Sequence, residues 1–240
     1  MSEHAGSSAL RLEGVSAGYG ATVVLEDLGL DLATGESISI IGRNGVGKTT
    51  LLATVMGHTN LHGGRIEFLG AEVSAMAVHR RARAGIGYVP QEREIFPSLS
   101  VRQNLMVAEQ PGRWNVEEVF GLFPQLRDRA DNMGNQLSGG EQQMLAIARA
   151  LVGNPKVLLM DEPSEGLAPV IVEDLIRAMR TLQKDSDLAI LLVEQNTRIA
   201  LDFSPRAVVM DRGRIVFDGL SQDLKDDPER LHGLIGVSGG

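Results

Sequence analysis

No cysteine occurs in the 240-residue chain. That excludes disulfides, thiolate chemistry and cysteine-ligated zinc, and it suits a reducing compartment. A basic excess is missing too: 23 Lys and Arg face 31 Asp and Glu, a formal net charge of −8. Gripping nucleic acid by its phosphates needs a basic face, so no nucleic-acid partner is expected. The one basic cluster, His79-Arg80-Arg81-Ala82-Arg83, is short and reads as a solvated helix face. No stretch reaches the length of about 18 apolar residues that a membrane span needs, and the strongest apolar runs, such as Ala189 to Val193, are strand-sized. Met1 to Leu10 has no basic segment followed by an apolar one, so no signal peptide is expected and a cytoplasmic location is. What the chain does have is 43% hydrophobic residues, enough for a sizeable core and too many for a disordered protein. At about 150 residues per domain, the length predicts one large domain or a core with an inserted lobe.

Residues 1–9 read as a frayed tail. Leu10–Val15 and Leu28–Leu32 alternate apolar and polar positions, as half-buried strands do. Ser37–Ile41, Val157–Met160 and Leu188–Val193 are almost continuously apolar and read as buried strands, with Arg65–Leu69 and Ile86–Val89 as further strands. Ala207–Met210 and Arg214–Asp218 flank a hairpin signal, Asp211-Arg212-Gly213. Helices are predicted over Lys48 to about Met56, over Pro169–Gln183 with Ile171, Leu175, Ala178, Met179 and Leu182 on one side, and over Asn196–Phe203. From Gln91 to about Pro155 the pattern is helical, and Asn115-x-x-Glu118 and Ser138-x-x-Glu141 have capping-box spacing. Strands alternating with helices predict an α/β sheet covered on both faces. The block near 92–155 reads as a lobe inserted into it, because strands resume afterwards.

Gly42-Arg43-Asn44-Gly45-Val46-Gly47-Lys48-Thr49 matches G-x-x-x-x-G-K-[ST]. Its glycines let the backbone N–H groups turn inward onto phosphate oxygens, and the following helix, with Thr50 in its first turn, adds the positive end of its dipole. Lys48 supplies a point charge for the β- and γ-phosphates, and Thr49 a hydroxyl for Mg²⁺. With only four lysines in the chain, roughly 0.005 chance matches are expected. Val157–Met160 delivers Asp161 and Glu162 to the C-terminal end of a strand, where α/β sheets bind ligands. Asp161 is placed to hold Mg²⁺ through water, and Glu162 to orient or deprotonate the attacking water. Ser138-Gly139-Gly140-Glu141 opens a helix with several free N–H groups. It is either an ordinary N-cap or a second anion site. Since one loop already accounts for one triphosphate, the second reading implies a site completed by another molecule.

These three motifs, in this order, resemble the ATPase subunit of ABC transporters, over about residues 10–220. The resemblance implies a P-loop core with an antiparallel β-lobe near the N-terminus and an inserted helical lobe, followed by a short tail over 221–240. It implies ATP and Mg²⁺ as ligands. It makes Tyr19 the aromatic that stacks on adenine, Gln91 the glutamine that contacts Mg²⁺ and the attacking water, and Ser138, Gly139 and Gly140 the signature that closes on the γ-phosphate of the opposite subunit's ATP. The segments Glu94–Pro97, Leu137–Leu151, Asp161–Pro169 and Leu192–Asn196 resemble the smaller ATPase subunit of branched-chain amino-acid importers, with urea and amide importers beside it. Two positions depart from the general pattern: Gln195 stands where a γ-phosphate histidine is usual, and Ala168 where an aspartate is usual. An amide still donates a hydrogen bond but carries no proton's charge, so a weaker contact is expected.

The expected partners are a second ATPase subunit, identical or different, two membrane permeases, and indirectly a solute-binding protein, with the chain on the inner face of the plasma membrane. The surface beside Gln91, with Phe96 and the helix from Val101, is the expected docking groove, although Phe96 could equally be core. The rival readings are a soluble ABC ATPase of translation or repair, an exporter ATPase, and a binding-only subunit. The first usually carries two ATPase domains or long coiled-coil insertions, and this chain has neither.

Overall fold

In a computed structural model, described for residues 7–185 and 187–236, the continuously apolar segments pack side by side. Strands β3 (Ser37–Ile41), β7 (Val157–Asp161) and β8 (Ala189–Glu194) are buried at every position. Burial on both faces is what a parallel sheet flanked by helices requires. They join β6 (Ile86–Val89), β9 (Arg206–Asp211) and β10 (Arg214–Leu220) in the order β10-β9-β3-β8-β7-β6, parallel except for β10. Successive side chains point to opposite faces. Leu158, Met160, Ile190 and Leu192 pack with the helices after β6, while Val157, Leu159, Leu191 and Val193 pack with the P-loop helix and the N-terminal strands.

The N-terminal strands form the second sheet. Strands β1 (Ser8–Tyr19) and β2 (Thr22–Ala33) are a long antiparallel hairpin, extended by β4 (Asn60–Phe68) and β5 (Ala71–Glu72) in the order β2-β1-β4-β5. This is the expected antiparallel lobe, with strands longer than the alternation alone marks out. Of the tail expected over 1–9, residues 1–6 lie outside the described residues, and Ser8 and Ala9 belong to β1. The sheets are pinned together beside the P-loop. The Gly213 N–H donates to Val46 O at 2.8 Å, Glu26 N–H donates to Gly213 O at 2.9 Å, and Arg214 pairs with Glu26 at 2.7 Å.

The block between β6 and β7, two strands that pair with each other, contains α3 (Val101–Met106), α4 (Val116–Leu122), α5 (Pro124–Asp128) and α6 (Gly139–Val152). Its opening residues are not helical: the loop after Gln91 puts Arg93 at φ +66° and Glu94 at φ +44°, left-handed values that end helical propagation. At Ser138 the capping box is complete, whereas at Asn115 only the forward bond to Glu118 N–H forms. A further complete box, Ser100 with Gln103, starts α3. Helix α7 (Pro169–Asp185) buries Leu175, Ala178, Met179 and Leu182 as its spacing predicts, and α8 (Thr197–Phe203) covers the β9 side. The C-terminal segment forms α9 (Ser221–Asp226) and α10 (Pro228–Leu234), whose Leu224 and Leu231 join Ile41, Ala200 and Val209 in a small core.

One expectation is overturned. The basic cluster does form a helix, α2 (Val78–Ala84), but Arg81 is 3% exposed. Its guanidinium donates to Thr54 O, Val55 O, Met76 O and Ser74 O at 2.7–3.0 Å. Thr54 and Val55 lie in the last turn of α1 (Lys48–Met56), the P-loop helix. A cation is favoured at that end of a helix, where carbonyls lack intrahelical donors. His79, Arg80 and Arg83 are exposed, as a solvated face requires. Arg81→Met should cost about 3 kcal/mol of stability in urea unfolding, and Arg83→Met less than about 0.5 kcal/mol. Equal costs would show that the carbonyl cluster does not depend on Arg81.

Candidate nucleotide site

The chain leaves β3 at Ile41 and enters the loop Gly42–Gly47, which runs into α1. Gly47 has φ +109°, and a Cβ there would lie 2.9 Å from Leu25 Cδ2, so glycine is required by both backbone and space. The loop curls around its own lysine. The Lys48 ammonium donates to Gly42 O at 2.9 Å and Arg43 O at 3.2 Å, and pairs with the Glu162 carboxylate at 3.1 Å. Both side chains are buried, to 4% and 9% exposure.

Asp161 and Glu162 follow from the end of β7. The Thr49 hydroxyl donates to Asp161 Oδ1 at 3.2 Å, while Asp161 Oδ2 is buried with no hydrogen-bond partner. Burial pushes the Asp161 carboxyl up to about 6 from 3.8, with Glu162 and Glu92 adding to the rise, while the Thr49 bond and Lys48 oppose it. Glu162 sits at φ +45°, its N–H donating to Val193 O at 2.9 Å. A left-handed non-glycine residue is uncommon, and it turns the chain sharply out of β7 just where the carboxylate meets Lys48.

Asn44, Gly45, Gly47, Lys48, Thr49, Thr50, Gln91 and Glu162 line one cleft together with Val24 of the β-lobe. The structure thus brings together eight of the residues that sequence reasoning groups, with Asp161 joined to them through Thr49. Gln91 lies across the cleft and hydrogen-bonds through its amide to Glu165. Val24 and Glu165 escaped sequence reasoning, because a valine in an alternating strand and a glutamate in a loop carry no signal of their own. Other residues singled out in the sequence stand outside this lining, Gly42, Arg43 and Val46 of the loop among them. Tyr19 is 51% exposed at the end of β1, outside the cleft lining. Gln195 is exposed and lines a neighbouring cleft with Gly42, Arg43, Asn44 and Ile235. Ala168 is exposed just before α7.

Ser138, Gly139, Gly140 and Glu141 do not line the cleft. They begin α6, where Glu141 N–H donates to Ser138 Oγ at 3.3 Å and Ser138 N–H to Glu141 Oε2 at 2.7 Å. Burial acts to raise the Glu141 carboxyl, but these bonds and Arg129 hold it below its ordinary value. A Cβ on Gly140 would lie 2.6 Å from Ile171 Cγ2, so the helix start packs closely on the start of α7. The loop after Gln91 touches the same helix twice. A Cβ on Gly139 would lie 3.0 Å from the Arg93 guanidinium, and Arg149 donates to Glu94 O at 2.6 Å while its guanidinium sits 4.8 Å over the Phe96 ring. Phe96 is 47% exposed, which rules out the core alternative.

A glycine-rich loop that buries its lysine against a carboxylate at a strand end, on an α/β sheet, is the arrangement of a nucleotide-hydrolysing cassette. The comparisons with known proteins agree. The ABC transporter family model matches residues 25–165, and the chain belongs to that family as an ATP-hydrolysing subunit of a transporter. It is 36% identical over 232 residues to the high-affinity branched-chain amino acid transport ATP-binding protein BraG of Pseudomonas aeruginosa, covering 95% of this chain and 99% of the relative. It is 34% identical over 230 residues to the lipopolysaccharide export system ATP-binding protein LptB of Haemophilus influenzae, covering 92% and 95%. A crystal structure of a nucleotide-free ATP-binding cassette from an ABC transporter superposes with a TM-score of 0.81 at 25% identity, covering 97% of this chain and 99% of that one. Among the described residues no helix is long and apolar enough to cross a membrane.

The raised Asp161 carboxyl makes a pH prediction. Between pH 3.8 and about 6 the folded protein keeps a proton that the unfolded chain has released. Stability from this group therefore falls as pH rises through that window and is flat above it. In urea unfolding without nucleotide or divalent cation, Asp161→Asn should gain on wild type by about 3 kcal/mol between pH 4 and pH 7. Parallel pH profiles would contradict the assignment.

Proposed function

We propose that this chain powers a membrane importer of branched-chain amino acids, by closing on ATP together with a second ATPase subunit and hydrolysing it. The observation that carries the two-subunit reading is the separation of the motifs. Lys48, Thr49 and Glu162 share a cleft that Ser138–Glu141 does not line. Two cassettes facing head to tail would bring the helix end of one over the phosphate loop of the other. ATP would then be part of the interface, favouring the closed pair by differential affinity. Hydrolysis removes the shared triphosphate, and the pair reopens.

Within each site the proposed roles are as follows. The backbone of Gly42–Gly47 and Lys48 bind the phosphates, with Thr50 in the same turn, and Tyr19 stacks on adenine. Phosphate entering the loop competes with Glu162 for Lys48, which frees the carboxylate to act as base on water. Mg²⁺ fits the residues present: Asp161 Oδ2 is a buried acceptor without a donor, and Thr49 offers a hydroxyl beside it. Thr49, Asp161 and Gln91 would hold the ion, mainly through water. It would supply charge neutralisation on the phosphates. Gln195 is proposed to reach the γ-phosphate as a neutral donor, completing the site from the Gly42–Asn44 side.

Permeases are proposed to dock beside Gln91, at exposed Phe96 and α3. The proposed link from that surface to the Ser138 helix end runs through Arg93 of this loop beside Gly139, and through Arg149 of α6 against Glu94 O and Phe96. The chain would then work on the inner face of the membrane. The amino-acid solute is supported by the identity to BraG across 95% of the chain. A second reading, lipopolysaccharide export, is favoured by a comparable identity to LptB.

Glu162→Gln should lower ATP turnover by about 100-fold or more with nucleotide binding retained, and Lys48→Ala should weaken ATP binding by at least about tenfold. Wild-type hydrolysis in the first variant, or unchanged affinity in the second, would refute those roles. Purification of the chain from its native membrane separates the solutes. The proposal expects two multi-span permeases and, in reconstituted vesicles, leucine uptake that depends on a solute-binding protein. Association with a lipopolysaccharide-extracting complex, or transport of urea instead, would overturn the amino-acid reading.

A further inference from the structure

The sharp turn after β7 holds Glu162 at φ +45°. Three hydrogen bonds keep it there. Two are backbone bonds, from Glu162 N–H to Val193 O at 2.9 Å and from Glu165 N–H to Glu162 O at 3.0 Å. The third runs from Ser164 N–H to the carboxylate oxygen Oε1 of Glu194 at 3.1 Å. Glu194 is the last residue of β8, in register with Ile41 immediately before the phosphate loop, and only 2% exposed. It therefore stands between the end of the strand that carries Lys48's loop and the end of the strand that carries Asp161 and Glu162. A buried carboxylate is costly unless hydrogen-bonded, and the Ser164 N–H supplies that bond here. Burial raises its carboxyl above the ordinary range, and the hydrogen bonds from Ser164 and from the Asn196 backbone oppose the rise.

We infer that Glu194 is a positioning residue for hydrolysis: its carboxylate clamps the Ser164 N–H and so fixes the turn that aims Glu162. Ser164 lies beyond the phosphate-binding residues, so loosening its bond to Glu194 spoils the aim of the base and leaves the phosphate loop intact. This inference rests on the reading of Glu162 as the base. Glu194 itself touches neither nucleotide-binding loop residue nor Lys48 through any hydrogen bond among the described residues.

The test compares Glu194→Ala, Glu194→Gln and Glu162→Gln in the full chain, in the complex with which it purifies. Steady-state ATP hydrolysis and equilibrium binding of ATP and ADP are measured for each. Glu194→Ala is expected to lower kcat at least about tenfold while KM and both affinities stay within about twofold, the pattern of a lost transition-state interaction. Glu194→Gln keeps an amide oxygen that accepts from Ser164 N–H, and its kcat is expected to stay within about threefold of wild type. If Glu194→Ala does not fold, Glu194→Asp, one methylene short of Ser164, is read in the same way. The inference is overturned if kcat is unchanged, if kcat and nucleotide affinity fall together, or if the glutamine variant falls as far as alanine. An inactive Glu162→Gln beside a fully active Glu194→Ala would remove the positioning role and keep the base. A fully active Glu162→Gln would remove both.

Discussion

A buried ammonium between two loops organises everything else in this molecule. Lys48 sits among two carbonyls of its own loop and the carboxylate of Glu162, almost out of reach of water. Breaking such a pair by removing one partner leaves an uncompensated charge in the interior. The ends of β3 and β7, separated in the sheet by β8, are therefore tied at one point. The same point is where a phosphate would have to enter. In the proposed mechanism, binding and catalysis are linked through this one cation, which a carboxylate holds and a triphosphate would claim.

The scaffold around this pair explains why it can persist. Parallel strands buried on both faces give a rigid floor, and their C-terminal ends present Gly42, Asp161 and Glu194 along one edge. The β9–β10 turn is bonded both to the phosphate loop at Val46 and to β2 at Glu26, so it ties the β-lobe to that loop. Arg81 closes the far end of α1. The helical lobe, by contrast, meets the site through the Gln91 loop, whose residues touch α6 at Gly139 and Arg149.

Much of this was readable from residues alone, for physical reasons. Short, almost continuously apolar runs suit strands buried on both faces, so the sheet was legible at Ser37–Ile41 and Val157–Met160. The glycine spacing before Lys48 has almost no other use, so the phosphate loop was legible too. Arg81 was misread because a basic run gives no sign of which member turns inward. That depends on where the carbonyls of α1 end. The left-handed turn at Arg93 and Glu94 was hidden because neither residue is a usual bearer of positive φ. Glu165 and Glu194 were illegible as site residues, since their partners lie 74 and 30 positions away in the chain. Local patterns reveal elements and loops; contacts across strand ends need the fold.

The central claim is that each nucleotide cradle has half its walls here and half on a facing molecule. Sedimentation of the Glu162→Gln protein loaded with Mg–ATP, alone and mixed with any ATPase subunit it purifies with, tests this most directly. The account predicts a nucleotide-dependent doubling of mass that Ser138→Arg abolishes. A particle that remains monomeric with ATP under all these mixtures, or a dimer indifferent to both ATP and Ser138, would contradict it.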